Sequence, residues 1–368
     1  MKTEKIPKNV ADAFAAIDKL NPESAILSDN ALSIVNEFID TGSMALNAIL
    51  SGSLHKGVPK GRIIGLVGPT GCGKTLILNK IIGNAQRKDP DVWGIIWDSE
   101  NAEDAEIARN VGANPNRIKH NPVATVEDCR NQICAFLDMV KEHKELYGKF
   151  VIGIDSLGNL ASSKELKDAA AGKDAVDMGL RAKTIKSMMR VLTNKCAMTN
   201  TTLIFTNHVY DDPMCLYPSM IKNQSGGKGP LYLASVLVQL SVKSEKAEDS
   251  ANPEDILPLA HKVNGVILSA MTVKNRHVPP FLKTELFLNF QKGLDKYSGL
   301  KDMAVGFGIL KATGPTFELD GEKIGYAKTW EHDPAFWDTK ILPKLETVLN
   351  KQIIYSQLND TTTTPEQS

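Results

Sequence analysis

Apolar positions along this chain recur at two spacings, and the switches between them mark its elements. Val10, Ala13, Phe14, Ile17 and Leu20 fall on one face of a helix over 10–20, which the polar run Asn21-Pro22-Glu23-Ser24 ends. A helix this short is marginal alone, so its apolar face needs something to pack on, and another subunit is one candidate. Ile34 to Ile39 reads as a strand, after which Thr41-Gly42-Ser43 opens a helix from Met44 to Leu50. Arg62 to Val67 is a short apolar run of the kind that makes a parallel strand buried on both faces. Leu76, Ile77, Lys80, Ile81 and Ile82 then return to helical spacing.

The alternation continues. Trp93 to Trp97 is an apolar strand ending in Asp98-Ser99-Glu100, and Thr125-Val126-Glu127-Asp128 is a capping-box signature for a helix to about Lys144. Phe150 to Asp155 is a strand with a carboxylate at its tip, 178–198 is helical, and Thr202 to Thr206 is a strand that finishes at Asn207-His208. Strand and helix in turn define an α/β fold with a mostly parallel central sheet. Three strands end in polar groups, at the sheet edge where such folds place their sites.

Two polar stretches, 162–177 and 209–230, interrupt this rhythm, each after one of those tips. Connections that long inside a compact domain are commonly functional. Ala234 to Val242, Val263 to Lys274 and Lys283 to Phe290 read as further strands added antiparallel to the sheet. After 41–292, the core, the texture changes to short helices and turns. A last helix from Asp333-Pro334 toward Tyr355 places a small α+β C-terminal domain at 293–355, and the polar tail 356–368 is expected to be disordered.

Composition narrows the partners. Lys+Arg and Asp+Glu number 43 each, so any contact with a polyanion must come from a local patch or from many subunits acting together. The five cysteines form no CxxC pair, which argues for reduced thiols and against a zinc ribbon or a disulfide frame. With a polar N-terminus and no uncharged apolar run of membrane-spanning length, a soluble, cytoplasmic protein without a membrane partner is expected.

The chemistry centres on Gly68-Pro69-Thr70-Gly71-Cys72-Gly73-Lys74-Thr75, a phosphate-loop pattern between a strand and a helix. Gly71 and Gly73 let successive N–H groups turn inward on phosphate oxygens, aided by the positive end of the helix. Lys74 is placed to reach the β and γ phosphates and Thr75 to put its hydroxyl on Mg2+. Asp155 is the strand-end carboxylate that holds the same ion through water. Glu100 is a candidate base for activating water, with Asp98, Glu103 and Asp104 as rivals by residue type. Asp104 also counts among the candidate nucleotide contacts. His208 is either a sensor of the γ phosphate or a structural histidine.

At this point the residues carry a resemblance. The chain resembles the RecA-type recombinases, and Ile154-Asp155-Ser156-Leu157-Gly158-Asn159-Leu160-Ala161-Ser162 with Asn207-His208 is similar to the UvsX-type recombinases of T4-like bacteriophages. Thr41-Gly42-Ser43, Met178-Gly179-Leu180, Gly226-Gly227, Val273-Lys274-Asn275 and Gly321-Glu322-Lys323-Ile324-Gly325 extend the match from the N-terminal helix to about residue 350.

The resemblance implies a RecA-like P-loop ATPase that uses ATP and Mg2+, with Glu100 as catalytic glutamate and His208 as the strand-end switch. Residues 1–40 match the family's polymerisation arm, and 162–177 and 209–230 its two DNA-binding loops. Met178, Lys183, Lys186, Arg190, Gly226 and Gly227 are the implied DNA contacts. Lys274 and Arg276 match a basic pair that reaches a neighbouring subunit's ATP. The implied partners are single-stranded and double-stranded DNA, further copies of the chain, a phage single-strand-binding protein and a loader, in the host cytoplasm if the protein is a phage's. Ile107 stands where the family often has an adenine-stacking tyrosine. A ring-forming helicase or clock-type ATPase, a filament mediator without turnover, and a small-molecule P-loop kinase, which would need an arginine-rich lid that the sequence does not offer, are the rival readings. The arm, both loops and the Gly321–Gly325 segment weigh against the first, intact Lys74, Thr75, Glu100 and Asp155 against the second.

From 162 to 190, Lys164, Lys167, Lys173, Arg181, Lys183, Lys186 and Arg190 outnumber Glu165, Asp168, Asp174 and Asp177. Repeated along a filament, this surplus multiplies phosphate contacts. Single-strand affinity is therefore expected to fall with salt, by about 0.7 on the log–log slope for each phosphate contacted. Fluorescence-anisotropy titrations across a salt series measure it, and a salt-independent affinity would remove the phosphate contacts.

Overall fold

The run at 63–68 forms the strand next to which the phosphate loop hangs, and its two faces explain its composition. Ile64 and Leu66 join the apolar core on one side of the sheet, Ile63 and Val67 the core on the other. Alternate residues of a pleated strand point to opposite faces, so burial of both leaves no room for a polar interruption.

The structure, a computed structural model, describes residues 6–27, 35–173, 178–210, 220–247, 263–290 and 292–353. In chain order the strands are β1 (Phe38–Ile39), β2 (Val58–Pro59), β3 (Ile63–Gly68), β4 (Trp93–Asp98), β5 (Ile118–Pro122), β6 (Phe150–Asp155), β7 (Thr202–Tyr210), β8 (Asn223–Gln224), β9 (Val236–Ala247), β10 (Val263–Asn275), β11 (Lys283–Asn289), β12 (Gly293–Leu294), β13 (Leu310–Thr313), β14 (Thr316–Leu319) and β15 (Glu322–Tyr326). The helices are α1 (Lys8–Leu20), α2 (Met44–Ser51), α3 (Lys74–Lys88), α4 (Ala105–Asn110), α5 (Val126–Glu142), α6 (Ser163–Ala170), α7 (Met178–Met198), α8 (Gly229–Leu233), α9 (Leu300–Gly306), α10 (Pro334–Phe336) and α11 (Leu342–Gln352).

The main sheet has the order β12-β11-β10-β9-β3-β7-β6-β4-β5. From β9 to β5 neighbours run parallel, and β10, β11 and β12 add antiparallel strands at the other side. One face is covered by α2, α3 and the region beyond Gly293, the other by α5 and α7. Trp330, Trp337, Ile341, Leu345 and Leu349 belong to the same core cluster as α2 and α3. Glu346 fastens them together, accepting hydrogen bonds from Ser53 Oγ (2.6 Å) and the Leu54 N–H (2.7 Å). The described residues up to Asn36 belong to a unit of their own, in which α1 buries no side chain and leaves Ile17 53 % and Leu20 90 % exposed.

Several expectations need correction. The strand expected at 34–39 is only β1, and residue 34 lies outside the described residues. The stretch at 162–177, expected as a loop, begins with α6, which Ser162 and Glu165 start through a reciprocal capping box. Residues 174–177 lie outside the described set. In 209–230, β7 continues to Tyr210 and pairs with β8, and α8 begins at Gly229; 211–219 are outside the described residues, as is the tail from 354. The last helix is broken: a π-helical turn at Trp337–Ile341 separates α10 from α11. Pro343, second in α11, has no N–H to bond back into the preceding turn, which accounts for the local rewinding. Strand β5 has no apolar signature, because it lies at the sheet edge with its Lys119 and His120 exposed.

Gly83, inside α3, packs backbone to backbone: a Cβ there would lie 2.6 Å from Ala113 N and Gly112 O. Alanine gains about 1 kcal/mol in helix propensity, but the neighbouring main chain cannot yield as a flexible side chain does. Gly83→Ala is therefore expected to destabilise the protein by about 1–3 kcal/mol, the usual range for overpacking. Urea unfolding checks the sign.

Candidate functional site

Strand β3 delivers Gly68 to the edge of the sheet and α3 begins six residues later at Lys74. Between them Gly71 and Gly73 hold left-handed backbone, φ +77° and +78°, which a side chain resists. Helix α3 has no side-chain cap and no acidic residue in its first turn, so its leading N–H groups and dipole are left for an anion. Lys74 is buried in the loop, its ammonium donating to the carbonyl oxygens of Gly68 (3.1 Å) and Pro69 (2.8 Å). Cys72 is buried beneath, and that burial pushes its thiol above the ordinary value.

The parallel register brings the other groups to the same edge. Asp98 pairs with Asp155 across β4 and β6, and His208 with Gly68 across β7 and β3. Asp155 accepts from the hydroxyl of Thr75 (2.5 Å) and from that of Thr206. Burial raises its pKa; the two hydroxyls lower it, and the negative charges of Glu100 and Asp98 add to the rise. The donors fit a triphosphate with a hard dication: an uncapped helix start, an ammonium, and a hydroxyl–carboxylate pair of oxygen ligands.

The four rival carboxylates are separated by their partners. Asp98 is consumed by the turn that follows it, accepting from the N–H groups of Glu100, Asn101 and Glu103 and from His120 Nε2 (3.0 Å). Asp104 caps α4, accepting from Glu106 N and Ile107 N, and no bond joins it to the phosphate loop among the described residues. Glu103 turns inward to Asn79 Nδ2 (3.0 Å). Glu100 alone of the four meets the strand-end histidine: its Oε1 accepts from Ser156 Oγ (2.6 Å) and His208 Nε2 (3.0 Å). Burial pushes its pKa up, but the Ser156 and His208 bonds outweigh that and leave it below the usual value.

The expected DNA contacts fall on α7 and on the Gly226-Gly227 turn beside it. Met178 opens α7, along which Lys183, Lys186 and Arg190 are exposed at spacings of one helical face, while Ile185, Met188, Met189 and Leu192 are buried against the sheet. Gly226 and Gly227 have φ +81° and +79°, beside Ile185 and Ala182 of α7. Lys274 and Arg276 stand apart, for Lys274 pairs with Leu237 and Asn275 with Val236, at the end of the sheet opposite Gly68. Burial and the Arg276 charge lower the Lys274 pKa to about 8.

Residue patterns missed some members of this cluster. Thr206 and Ser156 hold Asp155 and Glu100, and Ser99 ties the two strand ends by accepting from Ser156 N (3.0 Å). Thr206, polar within an apolar strand, carried a usable signal; Ser99 and Ser156 carried none apart from the geometry. Arg181, counted only for its charge, donates to the carbonyls of Gly158 and Leu160 and so ties α7 to the turn after Asp155.

A mostly parallel sheet covered on both faces, with a phosphate loop after an inner strand, strand-end carboxylates beside it and antiparallel strands at one side, is a RecA-like α/β core. The chain belongs to the RecA family: the RecA N-terminal domain matches residues 8–295. It is 31 % identical over 292 residues to the recombination and repair protein of Enterobacteria phage T4, covering 77 % of this chain and 69 % of that one. It is 29 % identical over 327 residues to protein RecA of Desulforapulum autotrophicum, covering 89 % of this chain and 86 % of that one. Protein RecA of Paenarthrobacter aurescens is 28 % identical over 323 residues, covering 86 % and 84 %. No helix among the described residues is long and apolar enough to cross a membrane.

Thr206 is fully buried and donates to a buried carboxylate. Thr206→Val keeps its shape and removes the donor, so unfolding free energy at neutral pH is expected to fall by about 1–3 kcal/mol. Denaturant titration measures the change.

Proposed function

We propose that this chain is a DNA-dependent ATPase and recombinase, which polymerises on single-stranded DNA with ATP and Mg2+ and exchanges strands with a homologous duplex. The reading is supported above all by Glu100, which shares a 3.0 Å hydrogen bond with His208, the residue of β7 that immediately precedes the second polar stretch. The same carboxylate feels the charge of Lys74 in the phosphate loop and is linked through His208 to the segment proposed to grip DNA.

Each residue has a role within it. The N–H groups of the phosphate loop and Lys74 bind and orient the triphosphate. Thr75 and Asp155 would hold a hard dication, which when bound would supply positive charge to the phosphate oxygens. Glu100 orients water and takes its proton, and its depressed pKa keeps it ionised at neutral pH. His208 reports the state of the site to 209–230 through the strand end it occupies. Lys274 and Arg276, far from the chain's own phosphate loop, serve a neighbouring copy's nucleotide as cations. Lys183, Lys186, Arg190 and the Gly226-Gly227 backbone contact DNA, and α1 with its exposed apolar face joins one copy to the next. A single-strand-binding protein and a loader are the further proposed partners.

ATP hydrolysis with and without single-stranded DNA, paired with electron microscopy of the same samples, tests the proposal. Strong stimulation on helical filaments is expected. Closed rings that unwind DNA would move the chain to a helicase, and DNA binding without turnover would withdraw Glu100 as a working base. Glu100→Gln is expected to lower turnover by about 10²-fold or more while leaving nucleotide binding intact.

A further inference from the structure

Glu103 and Asn79 face each other behind the candidate site with one hydrogen bond made and two atoms unpaired. Asn79, wholly buried on α3, donates from Nδ2 both to Thr75 O (3.2 Å) and to Glu103 Oε2 (3.0 Å). Those two acceptors fix the orientation of the amide, because a flipped group would point its oxygen at both of them. Asn79 Oδ1 and Glu103 Oε1 are then the remaining atoms of the two planar groups, and both are buried without a partner. An ionised carboxylate has only acceptors to offer, and unpaired buried acceptors are costly.

We infer that Glu103 is a neutral carboxylic acid whose Oε1 proton is donated to Asn79 Oδ1, closing a ring of two hydrogen bonds that fastens the turn carrying Glu100 to the phosphate-loop helix. One proton satisfies both unpaired atoms at once. The surroundings agree: burial foremost raises the Glu103 pKa, to about 7, against the lowering effect of the Asn79 bond. Asp155 and Asp98, on the neighbouring strand ends, add to the rise, and His120 on β5 opposes it. Ionisation would set a third negative charge beside these two carboxylates and break the ring.

Glu103 is on this view a positioning residue. Its backbone N–H already donates to Asp98 Oδ2 (3.2 Å), in the turn that presents Glu100. Losing the ring frees that turn from α3, which reaches turnover through Glu100. That last consequence rests on the function proposed above; the protonation does not.

The two are tested separately on the full chain. In difference infrared spectra at about pH 5, wild type minus Glu103→Gln, a carboxylic-acid carbonyl band is expected, and it should fade as pH rises past about 7. Glu103→Gln reproduces the ring with an amide in place of the acid. The folded wild type holds its proton more tightly than the unfolded chain, so its stability is lost as pH rises through about 7. The margin by which Glu103→Gln exceeds wild type in melting temperature is therefore expected to widen between about pH 5 and about pH 8, while Glu103→Ala is lower at both. A carboxylate band near pH 5 with no acid band, or a Glu103→Gln variant less stable than wild type near pH 8, would overturn the inference. Retained ATP turnover in Glu103→Ala with the infrared band present in wild type would leave the proton in place and remove the positioning role.

Discussion

A strand buried on both faces can carry polar side chains only where a partner bonds them, as Asp155 does Thr206, or where it leaves the sheet. That constraint organises this protein. Strands β3, β4 and β6 are apolar until their last residues, Gly68, Asp98 and Asp155, and β7, apolar from Leu203 to Phe205, turns polar at Thr206 and brings His208 level with Gly68. Parallel pairing sets those ends side by side, so groups scattered over more than a hundred residues of chain meet at one edge. Because the edge is only partly open, each polar group must also be paired. Thr75 and Thr206 serve Asp155, Ser156 and His208 serve Glu100, and the turn's own N–H groups serve Asp98.

The same constraint explains what could be read in the sequence. Apolar runs ending in a carboxylate or histidine made β4, β6 and β7 legible, and the apolar run ahead of the phosphate loop β3, along with the edge they form. The phosphate loop was legible because glycine and lysine at fixed offsets leave few other uses. Strand β5 escaped because an edge position lets Lys119 and His120 face solvent, which erases the apolar signal. Helix α6 escaped because polarity and length suggested a loop, although Ser162 and Glu165 carried the same capping pattern that located α5. The choice among Asp98, Glu100, Glu103 and Asp104 was not legible from residue type. It depends on where each carboxylate points after a tight turn, and spacing along the chain does not encode that.

Pairing at the edge also limits how the site can move. Asn207 sits between two segments: its Nδ2 donates to Ser225 O (2.9 Å), and its oxygen accepts from the His208 N–H. Arg181 spans from α7 to the carbonyls after Asp155. The second proposed DNA-binding stretch is therefore bonded directly to the end of β7 through Asn207 and Ser225, and α7, with its proposed DNA contacts, to the turn that follows Asp155. In such an arrangement a change of charge at the phosphate loop needs no long relay, because a shift at His208 or Ser156 already alters a bond shared with a loop. The coupling proposed between nucleotide and DNA then follows from economy of position, since both proposed functions are assigned to the same edge of the sheet.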